Sequence, residues 1–289
     1  MRRVATDPAR RMSPAALAAL ITADRSRGWD PCMVVATAGT TAVGAVDPLP
    51  ELADLRDRDK LWLHVDAAWG GACVLSPRLR PVVAGIERAD SITWDAHKWL
   101  SVPNAAGMYF GARRRPVHET FRTETRYMPE TTRGGFDPYI ASMQWSRRFI
   151  GLKVFLMLAE LGEEGLARRI EHQAALADSL RGMLERHGWV LANDSPLAVV
   201  CFTRPEWQAA PEDVAAVAAR VVGRGRAWIS AITTREGIAC LRACMTSFRT
   251  CAADLEILVE ELELAGRDAG QTAPERSPSG SRPVRPSNG

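Results

Sequence analysis

The sequence predicts an α/β protein, with a mostly parallel sheet in its first half and a smaller α+β unit after it. Three observations carry that expectation. Short, nearly continuous apolar runs ending in small residues alternate with segments whose apolar positions recur at helical spacing, the pattern of strands buried on both faces between covering helices. Polar residues gather just after those runs, where sheets of this kind open their ligand crevice. The 289 residues, 46% hydrophobic and 25% charged, are enough for a sizeable core in one large and one smaller unit.

Taken in order, "SPAALAALITADRSRG" (13–28) reads as a helix, with Ser13 as N-cap, Pro14 at the first helical position and Gly28 after the last turn. "CMVVATAGTT" (32–41) is a buried strand running into a small-residue turn, and "PLPELADLRDRD" (48–59) returns to helical spacing. "LWLHVDAAWGGA" (61–72) is a second strand, "VVAGIERAD" (82–90) a connector, "SITWDAH" (91–97) a third strand and "AGMYFGA" (106–112) a fourth. The polar, glycine-containing stretch 122–139 suits a lid. Beyond it, 166–188 is an amphipathic helix, 189–205 two short strands around a turn and 211–225 a helix. Residues 226–248 form an antiparallel strand pair, and 250–266 a closing helix. The expected division is a partial large domain over 1–152, a small domain over 153–266 and a proline-, serine- and glycine-rich disordered tail over 267–289.

Composition narrows the function. A net charge of +3, with arginines scattered among 34 acidic residues, leaves no nucleic-acid footprint. The basic start "MRRVATDPARRM" has no apolar signal core behind it, and no stretch is long or apolar enough to span a membrane, so a cytoplasmic protein is expected. The six cysteines form no Cys-x-x-Cys pair and read as reduced, mostly buried small hydrophobes. His64, Asp66 and His97 are plausible ligand types, but their spacing matches no closed metal site, and no metal is expected.

Only three of the 37 basic residues are lysines: Lys60, Lys98 and Lys153. Arginine serves for surface charge, but it cannot become a free amine nucleophile, whereas lysine can. Lys60 follows the solvated turn "DRD", and Lys153 lies on a helix where its stem can cover the flank while its charge reaches water. Lys98 sits beside a histidine at the end of an apolar run. Three neighbouring strand ends bring Thr40 and Thr41, Asp66, and Asp95, His97 and Lys98 to one crevice. An amine and a carboxylate facing each other across a flat ring are what pyridoxal phosphate chemistry requires: the lysine bonds the cofactor aldehyde and the acid keeps the ring nitrogen protonated. Asp66 and Lys98 are 32 residues apart, enough for one crossover between parallel strands. Small residues at Ala67 and Ala68 would let a ring lie flat.

"HVDAAWGGA" followed by "ADSITWDAHKWLSVP" closely resembles the pyridoxal-phosphate-dependent group II amino-acid decarboxylases, in particular the aromatic-L-amino-acid type, over about Val4 to Leu264. The resemblance implies part of a fold type I large domain with a smaller C-terminal domain, a homodimer, pyridoxal 5'-phosphate as cofactor and an L-amino acid as substrate. It implies Lys98 as the aldimine lysine, Asp66 as the pyridinium partner and Ala68 as the small residue under the ring. Thr41, or its neighbour Thr40, would be the hydroxyl near the cofactor, and His97 would help hold phosphate and substrate. Tyr127 in "FRTETRYMP" would be the tyrosine that reprotonates the α-carbon, where a phenylalanine goes with aldehyde formation in related enzymes. Ser146 matches a position where serine goes with phenolic substrates in some plant members.

Two departures accompany the match. Asp95-Ala96 stands where aromatic-acid decarboxylases commonly have Asn-Pro, so Asp95 is a weak candidate phosphate ligand. The family's N-terminal part, with its phosphate loop and ring-stacking histidine, has no counterpart, and His118, His172 and His187 fall in the wrong segments. Arg147 and Arg148 read as structural ion-pair formers, and Arg242 as a structural pair or a partner for a substrate carboxylate. The alternatives to a decarboxylase are a catalytically incomplete remnant or subunit of one, and an aldehyde synthase of the same cofactor class.

Overall fold

A computed structural model describes residues 1–113, 115–121 and 142–272. It contains two four-stranded sheets. The first has the order β1-β2-β3-β4, built from Met33–Thr37, Trp62–Asp66, Ser91–Asp95 and Gly107–Gly111. The first three strands are parallel and β4 is antiparallel to β3. The second sheet is wholly antiparallel in the order β5-β6-β8-β7, from Val190–Leu191, Val199–Thr203, Ala239–Cys244 and Ser230–Thr233.

Local chemistry accounts for the elements. Helix α1 (Pro14–Ser26) opens as expected, with the Ser13 Oγ accepting the Ala16 N–H at 3.2 Å, and the chain leaves it through Gly28 at φ +81°. Helix α2 (Leu49–Asp59) packs on β1 and β2, and the apolar runs supply Val34, Ala36, Leu63 and Val65 to the core. The "GGACVL" stretch after β2 tightens into a 3-10 turn, as do Arg80–Val83 and Ile86–Arg88 in the connector. After the short helix α3 (Arg115–Phe121), α4 runs from Gly151 to Arg186, longer than the predicted 166–188 helix. Its backbone breaks at Gly162 (φ 62°, ψ 179°), a conformation that glycine reaches at little cost. Helix α5 (Pro211–Gly223) covers the small sheet beside α6.

Two expectations need correction. Among the described residues the first sheet is covered on one face only: Met33 and Val35 of β1 and Tyr109 of β4 are about half exposed, whereas Val34 and Leu63 are buried on the side where α2 packs. Helix α6 (Ala252–Thr272) runs past the predicted start of the tail at 267; nothing in "RDAGQT" stops a helix before Pro274.

The small sheet is bound to the turn after β1. Asn193 Nδ2 donates to the Val43 carbonyl at 2.8 Å, Ser195 Oγ to that of Gly44 at 2.8 Å, and the Arg242 Nε to that of Ala42 at 3.2 Å. All six cysteines are free thiols.

Candidate active site

The three parallel strands end level with one another. Thr37 is in register with Asp66, and Asp66 with Thr93, so the carboxyl ends of β1, β2 and β3 stand side by side at the usual strand spacing of about 4.8 Å. Past the last paired residues the ladder continues irregularly. The Ala38 N–H reaches the Asp66 carbonyl at 2.8 Å, the Ala67 N–H the Thr93 carbonyl at 2.9 Å, and the Asp95 N–H the Ala68 carbonyl at 3.2 Å. The residues singled out from the sequence therefore follow three adjacent, level strand ends.

Glycine makes this rim possible. The Gly70 N–H donates to the Ala38 carbonyl at 3.0 Å, and a Cβ built on Gly70 would lie 2.4 Å from that oxygen. Only a residue without a side chain lets the turn after β2 lie so close to the turn after β1.

On this scaffold Asp66 is exposed, and its Oδ1 accepts the Ala68 N–H at 3.0 Å, which fixes the carboxylate while Ala67 and Ala68 keep the floor beside it small. The two threonines separate. The Thr40 hydroxyl is spent inside the turn, accepting the Ala45 N–H at 3.0 Å, whereas Thr41 is exposed. His97 Nδ1 accepts the Ala106 N–H at 3.1 Å, so the neutral ring carries its proton on Nε2 and presents a donor. Behind them Trp99, fully buried, stacks on Trp69 with centroids 5.4 Å apart and planes 12° from parallel. That stack anchors the turn carrying Lys98.

Lys98 Nζ lies 2.9 Å from Asp95 Oδ2, the lysine side chain 37% and the aspartate side chain 18% exposed. Asp95 thus answers the charge of the lysine. Lys153 also behaves differently from the expected solvated residue: its Nζ donates to the Pro103 carbonyl at 3.4 Å and the Asn104 carbonyl at 3.2 Å, bracing the loop that follows Lys98. No pattern in the sequence pointed to that brace, since it joins residues 49 and 50 positions apart across a loop. Arg242 lies against the Ala42 carbonyl with its Nη2 3.6 Å from Cys244 Sγ, beside the Thr40–Thr41 turn. Arg147, Arg148 and Ser146 are exposed ahead of α4, and Tyr127 lies outside the described residues.

The donor set has the chemistry of a pyridoxal phosphate site: a reachable amine, an anchored carboxylate for a ring nitrogen, an imidazole N–H for an anionic group and a floor of small residues. Among the described residues no group of three or more histidine, cysteine, aspartate or glutamate side chains is placed to hold a metal ion, and no helix is long and apolar enough to cross a membrane.

The chain is similar in sequence and fold to known proteins. The family described as "Pyridoxal-dependent decarboxylase conserved domain" matches residues 1–204. The chain belongs to the pyridoxal-dependent decarboxylases. Within this family it is 32% identical over 273 residues to an aromatic-L-amino-acid decarboxylase of Bacillus atrophaeus, covering 91% of the chain and 57% of that protein. It is also 32% identical over 289 residues to the human cysteine sulfinic acid decarboxylase, covering 93% and 58%. The chain thus spans somewhat over half the length of these pyridoxal-dependent relatives. In three dimensions it resembles the crystal structure of mouse CSAD, with a TM-score of 0.83 and 30% identity over 92% of this chain and 59% of that one. A second match is the structure of Oryza sativa TDC with PLP and tryptamine, with a TM-score of 0.84 and 26% identity over 93% and 57%. The fold is accordingly that of the decarboxylases, a fold type I fragment with its sheet and helices in place.

Proposed function

We propose that this chain carries the lysine half of the active site of a pyridoxal 5'-phosphate-dependent L-amino-acid decarboxylase, a carboxy-lyase. The observation that supports it best is the convergence of Lys98, Asp66 and His97 on one rim of a family-matched sheet. When bound, the cofactor offers an aldehyde to an amine and a protonated ring that draws electrons from the substrate α-carbon, so that the carboxylate leaves as carbon dioxide. The residues of the chain do the rest. Lys98 Nζ is the covalent anchor. The Asp66 carboxylate, its Oδ1 held by the Ala68 N–H, pairs with the ring nitrogen and keeps its proton in place. Ala68 would be the small residue beneath the ring, Thr41 would offer it a hydroxyl, and the Nε2–H of His97 would donate to an anionic group of cofactor or substrate. Asp95 is a rim residue beside the phosphate position. Tyr127 is assigned the return of a proton to the α-carbon after carbon dioxide departs.

For the substrate, relatives of equal identity carry names from both aromatic and acidic decarboxylation. We assign the class of L-amino acids, with Arg242 on the small sheet, beside the Thr41 turn, as the residue placed to meet a carboxylate. We further assign a homodimer in the cytoplasm. Support for the dimer comes from an apolar patch at the start of α4, where Phe149, Phe155 and Leu156 are all more than half exposed; support for the compartment comes from six free thiols.

The test is the visible absorption of the purified chain with added pyridoxal phosphate, followed by release of carbon dioxide from a panel of L-amino acids. A band that vanishes in Lys98→Ala supports the assignment. A chain with no lysine-dependent band is not by itself an enzyme, and the reading of an incomplete subunit, which the one-sided sheet favours, then replaces it.

A further inference from the structure

We propose that Asp95 is a positioning residue for Lys98: its carboxylate holds the Lys98 side chain on the rim in an ion pair, so carbonyl capture by Lys98 requires this pair to open. The proposal rests on the reading of Lys98 as the cofactor lysine and adds a control on it. The geometry is specific. Asp95 Oδ2 and Lys98 Nζ are 2.9 Å apart, and the Lys98 N–H donates to the Asp95 carbonyl at 3.1 Å, so one tight turn sets both backbone and side chains. The Asp95 backbone is itself fixed, because its N–H is bound to the Ala68 carbonyl and it pairs with Gly107 across β3–β4. The other ionisable groups at this rim are Asp66 on the neighbouring strand end, His97 on the same turn and His64 further down β2. The group that reaches Nζ is Asp95.

The chemical consequence follows from electron counting. An ammonium has no lone pair. To form an imine with an aldehyde, the nitrogen must first give a proton to solvent; its lone pair then forms the C–N bond, and the carbonyl oxygen leaves as water with the two remaining amine protons. The ion pair with the Asp95 carboxylate is lost in the neutral imine, so the need to open it opposes capture. An amide at the same position, as in the Asn-Pro pattern, can accept a hydrogen bond but supplies no charge.

Reductive methylation tests this without the cofactor. The intact chain is treated at neutral pH and low salt with formaldehyde and cyanoborohydride, which supplies the hydride, and the labelling of Lys98 is read by peptide mass spectrometry against exposed Lys60. For a part-exposed pair, Asp95→Asn is expected to raise the Lys98 to Lys60 ratio about three- to fivefold, and Asp95→Glu to return it towards the original value. In the unaltered chain the ratio rises as salt is increased to about 1 M, because salt screens the pair; in Asp95→Asn it does not. A ratio unchanged by Asp95→Asn overturns the proposal. Should that variant fail to fold, a salt-independent ratio in the unaltered chain overturns it equally. Formaldehyde has neither ring nor phosphate, so the result is independent of whether a lysine-dependent cofactor band is seen.

Discussion

His64 shows how much one side chain can be set by its neighbours. Ser91 Oγ accepts the Trp62 indole N–H at 2.8 Å, which leaves its own proton for His64 Nδ1, also at 2.8 Å; the ring proton then sits on Nε2 and faces Thr93 Oγ1 at 3.3 Å. Burial holds the imidazole below its ordinary value of 6.5, and the nearby charge of Asp66 opposes this only in part. The sign for stability follows. Above pH 6.5 the ring is neutral whether folded or unfolded and costs nothing. As pH falls below 6.5 the unfolded chain takes a proton that the fold resists, so stability drops until the lowered folded value is passed. Melting temperature measured between pH 7.5 and 5 should therefore fall more steeply in the unaltered chain than in His64→Gln; parallel curves would show that His64 is not the titrating group. Thiol reactivity gives a second test at this scale. Burial pushes the Cys73 thiol up to about 12, while Cys32 and Cys251 are exposed. Iodoacetamide at neutral pH is expected to label Cys32 and Cys251 and to spare Cys73 until denaturant is added.

Among the elements, the paired turns after β1 and β2 carry the sharpest constraint. A methyl group on Gly70 would meet the Ala38 carbonyl at 2.4 Å, and neither backbone can retreat without parting the ends of β1 and β2. Gly70→Ala should cost about 1–3 kcal/mol, the usual penalty of overpacking, and on the cofactor roles proposed for Asp66 and Thr41 beside the displaced turns should also weaken cofactor binding. Gly223→Ala at the end of α5, where no atom lies within 4 Å, is the control and should be neutral or slightly stabilising. These elements were legible in the sequence for plain reasons. The strands were marked by short apolar runs ending in "TAGTT", "DAAWGG" and "DAHK", α1 by its Ser-Pro start, and the rim by the polar residues directly after each run. What escaped depends on distant partners. Helix α4 extends ahead of the predicted 166–188 helix across the break at Gly162, the grip of Lys153 on two loop carbonyls joins separate elements, and the engagement of Arg242 with Ala42 spans 200 positions. Periodicity reports only what a residue does within its own element.

At the scale of the whole molecule the one-sided sheet is the dominant fact. Parallel sheets are ordinarily buried on both faces, and the apolar runs of β1 and β2 were read that way. Here Val34, Ala36, Leu63 and Val65 fill the core side, while the opposite side carries, in register across the strands, Met33 with Trp62, Val35 with His64, and Thr93 with Tyr109. Met33 is 54%, Val35 49% and Tyr109 54% exposed, and β1 has no partner along its outer edge among the described residues. An apolar face beside an unpaired edge drives association, since covering each large side chain is worth about 1.5–3 kcal/mol and the edge offers a row of unpaired backbone groups. The chain should therefore self-associate through this face at micromolar concentration. Met33→Lys combined with Val35→Lys should shift the population towards smaller species, because both side chains already stand half in water and their charge keeps copies apart. The melting temperature should change little for the same reason. Sedimentation velocity over a concentration series reads the first effect and calorimetry the second. A mass distribution identical in the two proteins would mean that this face does not drive association, and the patch of Phe149, Phe155 and Leu156 at the start of α4 would be the next to alter.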